Sequence, residues 1–410
     1  MTRIAMFHPA FGVPGGAEFL CIEEALYLRG AGEDVSLVTM EFDPDRWNGR
    51  IQGLPVRVAP KRRWTDIFGG FTKMAKLHTR GRRAAGFMRD FEVIVAHNHP
   101  CNAMLGVSDI PGRKVWQCNE PPRGLHPREA NPRLTGQLEA TGGAGEDAST
   151  RLWAKVLDDH ERRSAQGSSR VIRARFDIEQ TAKLEHLYAI SEFSRDNARA
   201  IYGRCGEEVV YPIVRFPEGG HARTGLDRSG LQVLVHSRQE ILKNIDTVIR
   251  GFARFQAQHP DAHLHLVGEG PARQDLEELA ARLIPAGGCT FHGYLSTEKL
   301  KEVYDRCDVF ALLTLDEPFG MVYPEAAAKG LLMIGPDHGG PFEILEGGKL
   351  GWCVDPFDPA ALSQALEEVW ALPDAEVGRR REAADRSCRA RFSEAVIGPQ
   401  LRRVILEGHC

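Results

Sequence analysis

The sequence lacks the features that mark several large classes of protein. Its 410 residues contain no run approaching the ~20 apolar residues that a membrane-spanning helix requires. Nine cysteines are scattered without a C-x-x-C pair or a Cys/His cluster at zinc spacing. Lysine and arginine total 52 against 56 acidic residues, and the resulting net charge of −4 argues against a general nucleic-acid binder. A spanning helix, a zinc site and nucleic-acid binding are therefore not expected.

The N-terminus also lacks the pattern of a secretion signal, because its short apolar stretch is interrupted by Pro9 and Gly12. An odd number of cysteines without such a signal indicates reduced thiols, so we expect a cytoplasmic protein. The chain is long enough for two domains, each with its own core. Residues 212–230 are rich in Pro, Gly and charge, and we predict that they link a domain of residues 1–211 to one of residues 231–394.

The stretch that is most informative about function covers residues 308–345. The nearly continuous apolar run from Asp308 to Leu315 predicts a parallel strand that is buried on both faces. Residues 316–320 must turn, because Pro and Gly cannot extend a central strand. A helix follows and ends at Gly330, a residue suited to the left-handed cap position. A second buried strand, residues 331–334, then leads into a Gly-Gly loop.

Two carboxylates, Glu317 and Glu325, stand eight positions apart around this turn. Glu317 follows the carboxyl end of a strand, which is the edge where open α/β sheets bind ligands. Glu325 lies early in the helix and projects back toward its start, because Cβ atoms tilt that way. One such glutamate would merely complement the helix dipole, but two favour a binding site. The backbone N–H groups at a helix start attract phosphate, and here they belong to Phe319, Gly320, Met321 and Val322.

Two cations occupy a similar position earlier in the second domain. Residues 231–236 predict a strand, and Arg238 and Lys243 follow it at the start of the next helix. Such cations can neutralise a diphosphate, the arginine through its planar fork and the lysine as a point charge. The alternative, two ordinary surface cations, is less favoured by this position.

The first domain opens with a Rossmann-type unit of strand, Gly-rich loop, helix and strand. The glycines around Gly16 do not follow G-x-G-x-x-G, so a dinucleotide site is not indicated. They would allow a ligand to approach the backbone closely, although an ordinary strand-to-helix turn explains them equally well. Polar residues follow two further predicted strands, as expected of an active-site wall: His97, Asn98 and His99 after one, Asn119 and Glu120 after the other. Each histidine is as readily structural as functional.

The segment between Lys61 and Arg89 contains nine basic residues and one acid, Asp66. Apolar residues recur through it at helical spacing. A basic amphipathic segment suits an anionic membrane surface, so peripheral membrane contact is one hypothesis. A surface helix that packs its apolar stripe on the sheet is the commoner alternative.

Glu317, Glu325, the Pro-Phe-Gly between them and the following Gly339-Gly340-Pro341 resemble the E-x7-E signature of retaining glycosyltransferases with the GT-B fold. More narrowly, they resemble family 4, the glycosyl transferases group 1. The resemblance implies an α/β protein with two facing Rossmann-like domains, each built on a parallel sheet. The first domain would bind the acceptor and the second the nucleoside diphosphate sugar. The amphipathic helix expected in residues 395–410 would pack back on the first domain.

The resemblance also implies roles for individual residues. Arg238 and Lys243 would bind the donor phosphates, and Glu317 would hold sugar hydroxyls; these three are the predicted catalytic residues. Glu325 would bind the ribose, and Tyr294 could stack on the base. The family uses the loop that contains Gly16 near the donor phosphates and the acceptor. His97, His99, Asn119 and Glu120 are the acceptor-side candidates. Asn119 stands where some family members carry His in an H-E-P-P-R run, and Asn hydrogen-bonds but cannot carry a proton.

The reaction implied is transfer of a hexosyl group, with retention, to a hydroxyl of a glycan or lipid-linked acceptor. Both GDP- and UDP-linked sugars fit as donors, and neither a cofactor nor a metal is implied. Asp43 and Asp45 match the D-x-D of metal-using transferases, but their Phe-Asp-Pro-Asp segment is typical of a turn. An epimerase or phosphorylase on the same scaffold and a non-catalytic sugar-binding subunit remain the alternatives.

Overall fold

The computed structural model describes residues 1–12, 15–59, 72–126, 167–204, 208–218 and 224–408, with backbone only for residues 72–76 and 167–169. The chain divides into two compact units. The described residues up to 126, from 167 to 213 and from 392 onward belong to the first unit, and those from 214 to 391 belong to the second.

The first unit is built on a six-stranded parallel sheet with the strand order β3-β2-β1-β4-β5-β6. Ile4, Ala5 and Met6 of the first strand are fully buried, as expected of a parallel strand covered on both faces. The strands are β1 (Arg3–His8), β2 (Asp34–Thr39), β3 (Val56–Val58), β4 (Val93–His97), β5 (Arg113–Cys118) and β6 (His186–Ala189). The helices up to residue 204 are α1 (Gly16–Gly30), α2 (Pro44–Trp47), α3 (Thr72–Ala85), α4 (Cys101–Gly106), α5 (Gly167–Thr181) and α6 (Glu192–Tyr202).

The second unit repeats this order, with its sheet arranged β12-β11-β10-β7-β8-β9. Its strands are β7 (Gln232–His236), β8 (His263–Val267), β9 (Cys289–Gly293), β10 (Val309–Ala311), β11 (Leu332–Pro336) and β12 (Trp352–Val354). Its helices are α7 (Ile245–Gln256), α8 (Arg273–Leu283), α9 (Thr297–Arg306), α10 (Val322–Ala328), α11 (Gly339–Ile344), α12 (Pro359–Trp370) and α13 (Asp374–Phe392), with short 3₁₀ turns at Ile241–Lys243 and Glu346–Gly348.

In both units the strand order reverses between two neighbouring strands. The reversal lies between β1 and β4 in the first unit and between β7 and β10 in the second. The loops that leave the carboxyl ends of these strands diverge, and ligands of open α/β sheets bind in the crevice that results.

Local sequence explains where several elements begin and end. Ser191 caps α6, because its Oγ accepts a hydrogen bond from the Ser194 N–H at 2.9 Å. Gly330 follows α10 with a φ of 74°, which confirms the expected left-handed position. The strand predicted from Asp308 to Leu315 is shorter, because only Val309–Ala311 forms β10. The Leu315 N–H instead donates to Leu242 O at 2.9 Å and draws the chain toward the loop after β7.

The last helix, α14 (Glu394–Glu407), packs on the first unit. Leu401 and Val404 are buried in the same apolar cluster as Cys21 and Leu28 of α1. Arg113 at the start of β5 also donates to the carbonyl oxygen of Leu406 at 2.6 Å.

Within the described ranges, no helix is both long and apolar enough to cross a membrane. Residues 61–71 of the basic segment lie outside the described residues. Its described part includes Ala84 and Ala85 of α3, which are buried in the core beside the sheet, while Leu77 is partly buried against the same cluster. This packing agrees with the surface-helix alternative, and membrane contact stays a prediction.

A buried ion pair holds the amino-terminal end of β10. Arg381 Nη2 lies 3.3 Å from Asp308 Oδ1, with both side chains fully buried, and Arg381 Nη1 donates to Gly225 O at 2.6 Å. The other oxygen, Asp308 Oδ2, accepts the Gln232 N–H at 3.2 Å. The pair therefore ties α13 to the bases of β7 and β10, the two strands at the reversal.

We expect Arg381→Met to destabilise the protein by about 3–5 kcal/mol, since it leaves the Asp308 carboxylate buried without its cation. Chemical denaturation measures the change. Arg379→Met on the same helix is the matched control, because Arg379 is 76% exposed and its bond to Glu376 is a surface pair worth about 0–1 kcal/mol. Equal losses of unfolding free energy in the two variants would show that the buried pair contributes no more to stability than the surface pair.

Candidate functional site

The reversal point of the second unit brings together two of the residues predicted from the sequence. Lys243 lies in the loop after β7 and Glu317 in the loop after β10, and Lys243 Nζ donates to Glu317 Oε2 at 2.5 Å. The two side chains are 25% and 17% exposed, so the pair is reachable from solvent without being freely hydrated. A lysine and a glutamate 74 positions apart thus form one contact at the ligand edge of the sheet.

Asn244 fixes the loop that carries Lys243. Its backbone adopts a left-handed conformation with φ 52°, and its side chain is fully buried. Its Nδ2 donates to Leu313 O at 2.9 Å and to Pro356 O at 2.6 Å, while its Oδ1 accepts from Thr247 Oγ1 at 2.8 Å. This one amide therefore ties the loop after β7 to the end of β10 and to the loop after β12.

Arg238 lies in the same loop but is not brought to Glu317. Its side chain is 61% exposed and its nearest acid is Glu240, at 3.0 Å. The next residue, Gln239, is buried and donates through Nε2 to Gly268 O at 2.9 Å, which holds this part of the loop against the loop after β8. The backbone is therefore anchored while the arginine head remains available to a ligand.

The turn that holds Glu317 is fixed by the Gly-Gly loop that follows β11. The Gly340 N–H donates to Glu317 O at 2.9 Å. A Cβ at Gly340 would lie 2.3 Å from Phe319 Cα, so only glycine permits this approach. The Asp316 N–H also faces His338 Nε2 at 3.3 Å. The Gly-Gly sequence is thus required by packing against the glutamate turn.

Helix α10 begins directly after this turn, and Gly320 reaches it with a φ of 95°. The first N–H groups of a helix have no partner within it, and here they include those of Met321 and Val322, which are partly exposed. Glu325 lies in the first turn and is exposed, although the protein atoms around its carboxyl disfavour the charged form and raise its pKa to about 7.

The remaining donor-side candidates differ in accessibility. Tyr294 follows β9 and is 73% exposed, so its ring is free to stack on a planar group. The Phe319 side chain is buried, so only its backbone can face a ligand. In the first unit, Gly16 opens α1 with open space where a side chain would begin, while Val13 and Pro14 of the same loop lie outside the described residues.

In the first unit, β1 and β4 end at His8 and His97, beside the reversal point. Burial lowers the pKa of His8 to about 4, against the opposing effect of its bond to Ala10 O, and its Nε2 lies 3.4 Å from Asn98 Nδ2. His97 is fully buried, and its Nε2 lies 3.7 Å from Glu24 Oε2. Its place on the acceptor side stays a prediction.

His97 and Glu24 lie within ion-pairing distance, but burial shifts both toward their neutral forms. It lowers the pKa of His97 well below its usual range and raises the pKa of Glu24 to about 8. Gln117 Nε2 donates to Glu24 Oε1 at 2.9 Å, and Tyr188 Oη donates to Gln117 Oε1 at 3.1 Å. Near pH 7 the two groups therefore form a neutral contact behind the edge of the sheet.

Asn119 and Glu120 follow β5 at the same edge. Asn119 is 8% exposed, and its backbone oxygen accepts from Ser194 Oγ at 2.5 Å. Its side-chain Oδ1 is buried, and no described residue forms a hydrogen bond with it. Glu120 pairs with Arg123 at 2.7 Å in the loop that continues the strand. Their acceptor-side roles stay predictions.

The structure adds one residue that the sequence did not single out. Asp177 of α5 is 1% exposed and lies against His99, 3.2 Å from its Nδ1. Its carboxylate also accepts from Asn102, His126 and Tyr202. Burial alone would raise its pKa, but the bonds from His126, His99 and Tyr202 outweigh that effect and hold the pKa well below its usual range.

The sequence indicated a turn at Asp43 and Asp45, and the structure places them at the start of the short helix α2. Asp43 caps the short helix α2, with its Oδ1 accepting from the Asp45 N–H at 3.2 Å, and it pairs with Arg46 at 3.1 Å. Across the ranges that the structure describes, no group of three or more His, Cys, Asp or Glu is placed to hold a metal ion. The expectation of a metal-free reaction stays a prediction.

Comparisons with known proteins agree with this geometry. Residues 221–386 match the family described as Glycosyl transferases group 1. D-inositol 3-phosphate glycosyltransferase of Corynebacterium kroppenstedtii is 28% identical over 413 aligned positions, covering 94% of this chain and 84% of that protein. Mannosylfructose-phosphate synthase of Agrobacterium fabrum is 30% identical over 184 positions, covering 43% of this chain and 40% of that protein. The crystal structure of Anabaena Alr3699/HepE in complex with UDP and glucose matches with a TM-score of 0.73 at 16% identity, covering 99% of this chain and 100% of that one.

These similarities confirm the predicted enzyme class, a glycosyltransferase, and residues 221–386 are similar to the glycosyl transferases group 1. The two six-stranded parallel sheets with flanking helices confirm the predicted α/β architecture of the GT-B type. The chain spans less than half the length of mannosylfructose-phosphate synthase. Retention and membership of family 4 stay predictions.

We expect Glu24→Gln to stabilise the protein increasingly as the pH rises from 5 to 8. Burial raises the Glu24 pKa from 4.5 to about 8. The folded wild type therefore loses stability across that interval, by up to roughly 1.4 kcal/mol per pH unit, and the glutamine does not. Unfolding midpoints at several pH values measure this, with Glu23→Gln, one position earlier and partly exposed, as the control. A difference between Glu24→Gln and wild type that stays constant with pH would contradict the neutral contact.

Proposed function

We propose that this protein transfers a hexosyl group from a nucleoside diphosphate sugar to an acceptor hydroxyl, with retention at the anomeric carbon. The observation that carries the proposal is the Lys243–Glu317 contact of 2.5 Å at the strand-order reversal of the second unit. A cation that can meet phosphate and a carboxylate that can meet sugar hydroxyls thus occupy one point of the ligand edge.

The main requirement of the reaction is to stabilise the charges that develop in its transition state. A diphosphate leaves while the sugar becomes positively charged, so preorganised cations and N–H groups on the leaving group lower the barrier. Lys243 and Arg238 supply the cations, and the first amides of α10 supply N–H groups. Lys243 is already held against a carboxylate oxygen, and a phosphate oxygen presents the same kind of acceptor.

The acidic residues orient the donor. Glu317 accepts hydrogen bonds from hydroxyls of the transferred sugar, and Glu325, exposed on the first turn of α10, accepts those of the ribose. No covalent glycosyl-enzyme is required, because the departing phosphate takes the proton of the acceptor hydroxyl as that hydroxyl attacks the same face of the sugar. The proposed reaction uses neither a metal nor a cofactor.

The identity of the nucleotide and of the acceptor is proposed from the structural comparison and from the accessible side chains. The Anabaena structure contains UDP and glucose, which favours a uridine donor, while a guanosine donor fits the same phosphate site. Tyr294, exposed after β9, would stack on either base. The acceptor, a glycan or a lipid-linked sugar, would bind the first unit near Gly16, His99, Asn119 and Glu120.

A thermal-shift screen against UDP- and GDP-linked hexoses should identify the donor, since a ligand bound only by the folded state raises the unfolding midpoint. Product analysis with that donor then separates transfer from epimerisation. Stabilisation by a nucleotide sugar with an epimer as product would replace the proposed reaction with the alternative one.

We expect Lys243→Ala to lower kcat/KM about 10²–10³-fold, the loss typical of removing one preorganised electrostatic group from a transition state. Steady-state transfer assays with the donor so identified measure this. Lys301→Ala is the matched control, because Lys301 forms a 2.5 Å bond to Asp305 on α9 but is 63% exposed and away from the ligand edge. A variant at Lys243 that keeps wild-type kcat/KM would refute the assigned site.

A further inference from the structure

The carboxylate of Asp177 is the centre of a polar cluster in the first unit that the proposed reaction leaves unused. Asp177 Oδ1 accepts from Asn102 Nδ2 at 2.9 Å and faces His99 Nδ1 at 3.2 Å. Asp177 Oδ2 accepts from His126 Nε2 at 2.9 Å and from Tyr202 Oη at 2.7 Å. Four donors around one buried carboxylate leave it fully hydrogen-bonded and ionised.

The hydrogen bonds of Asn102 determine which ring nitrogen of His99 carries the proton. Asn102 Nδ2 donates both to Asp177 Oδ1 and to Thr181 Oγ1, each at 2.9 Å, which fixes the orientation of the amide. Asn102 Oδ1 is then the atom that lies 3.2 Å from His99 Nδ1. Because both neighbours of Nδ1 are acceptors, Nδ1 carries a hydrogen, and in the tautomer that this geometry defines the lone pair lies on Nε2.

The backbone holds these groups rigidly. Asn102 lies on α4 and Thr181 on α5, and a Cβ at Gly106 of α4 would come within 2.3 Å of Gln180 O. The close approach of the two helices, made possible by glycine, brings Asp177 against the turn that contains His99. The tautomer is therefore set by the packing of α4 on α5.

His99 itself is the accessible member of the cluster. It follows β4 at the strand-order reversal of the first unit, and its side chain is 23% exposed, whereas that of His126 is 9% exposed. Among the residues that the structure describes, none hydrogen-bonds His99 Nε2. A ring nitrogen with a lone pair thus lies at the ligand edge of the sheet, held from behind by a carboxylate.

We propose that Asp177 and Asn102 position His99 so that its Nε2 accepts a hydrogen bond from a hydroxyl group of the acceptor. The inference rests on the proposed function, since it assigns the ligand of the first unit, and it makes Asp177 a positioning residue that acts through His99. The site selects a neutral, hydroxyl-bearing group at this point, because a phosphate oxygen would need a donor where Nε2 presents a lone pair.

The tautomer is tested directly by ¹⁵N NMR of the ring nitrogens in the full-length protein at pH 7.5, with His99→Gln used to assign the signals. We expect the wild type to show the proton on Nδ1. In Asp177→Asn, an amide N–H₂ group replaces one carboxylate oxygen among the four donors. Where this group faces His99 Nδ1, that nitrogen must accept, so the tautomer of His99 with its hydrogen on Nε2 should become populated. Tyr202→Phe is the control, since it removes one donor to Asp177 and changes no atom that faces His99, and its tautomer should match the wild type. A wild-type ring protonated on Nε2, alone or together with Nδ1, would overturn the inference.

The ligand class is tested on the same signals. Titration with myo-inositol, a neutral polyol used as the hydroxyl probe, should shift the His99 Nε2 resonance in the wild type and in Tyr202→Phe but not in Asp177→Asn. Inorganic phosphate is the anion probe and should leave the resonance unchanged. A response to phosphate alone, or to neither probe, would contradict the assignment.

In the transfer reaction, His99→Ala should raise the acceptor KM about tenfold, the size of one lost hydrogen bond, while the donor KM stays within about twofold. His99→Gln should recover part of the loss, because its amide oxygen can accept from the same hydroxyl. An unchanged acceptor KM in His99→Ala would overturn the inference. Failure of the wild type to transfer sugar from any nucleotide donor would instead refute the proposed function. The two NMR tests would still decide whether Asp177 and Asn102 position His99 as a hydrogen-bond acceptor.

Discussion

The feature on which the rest of the structure depends is the reversal of strand order at the centre of each parallel sheet. The strand order runs in opposite directions on the two sides of β7 and β10, and again of β1 and β4. Right-handed crossovers then place the connections of the two neighbouring strands on opposite faces of the sheet. Their loops therefore diverge at the carboxyl edge and leave room for a ligand. Lys243 and Glu317 meet there because each follows one of the two strands at a reversal. In the other unit, His8 and His97 end the corresponding strands.

Burial separates the groups that keep a charge at these edges from those that do not. Glu24 and His97 lie within 3.7 Å of each other behind the edge, yet desolvation moves both toward neutrality. Asp177 is equally buried but remains ionised, since four donors surround it. The distance between a carboxyl and an imidazole therefore does not determine their charge. The charge depends instead on the number of hydrogen-bond donors that surround each carboxylate.

Most of the architecture could be predicted from local sequence. Apolar runs without alternation indicate buried parallel strands, and the turn residues after them place the functional side chains at one edge. Glu317, Lys243 and the Gly-Gly loop were recognisable because each lies beside such a signal. The length of β10 could not be predicted in this way. A hydrogen bond between Leu315 and Leu242 draws the chain away from the strand, and these residues are 73 positions apart in the sequence.

Asp177 shows most clearly why part of a site escapes sequence reasoning. It lies on α5, in a polar stretch with no turn, glycine pattern or strand end beside it to mark a function. Its partners His99 and Asn102 are more than 70 positions earlier in the sequence. Helices α4 and α5 bring these residues together by packing closely at Gly106, where a side chain would not fit, and nothing in the sequence marks this glycine. A carboxylate of this kind is recognisable only when its donors are counted, because four hydrogen bonds to one buried side chain exceed what capping a helix or closing a turn requires. The same count explains why His99, and not the deeper His97, is the imidazole held ready at the edge of the sheet.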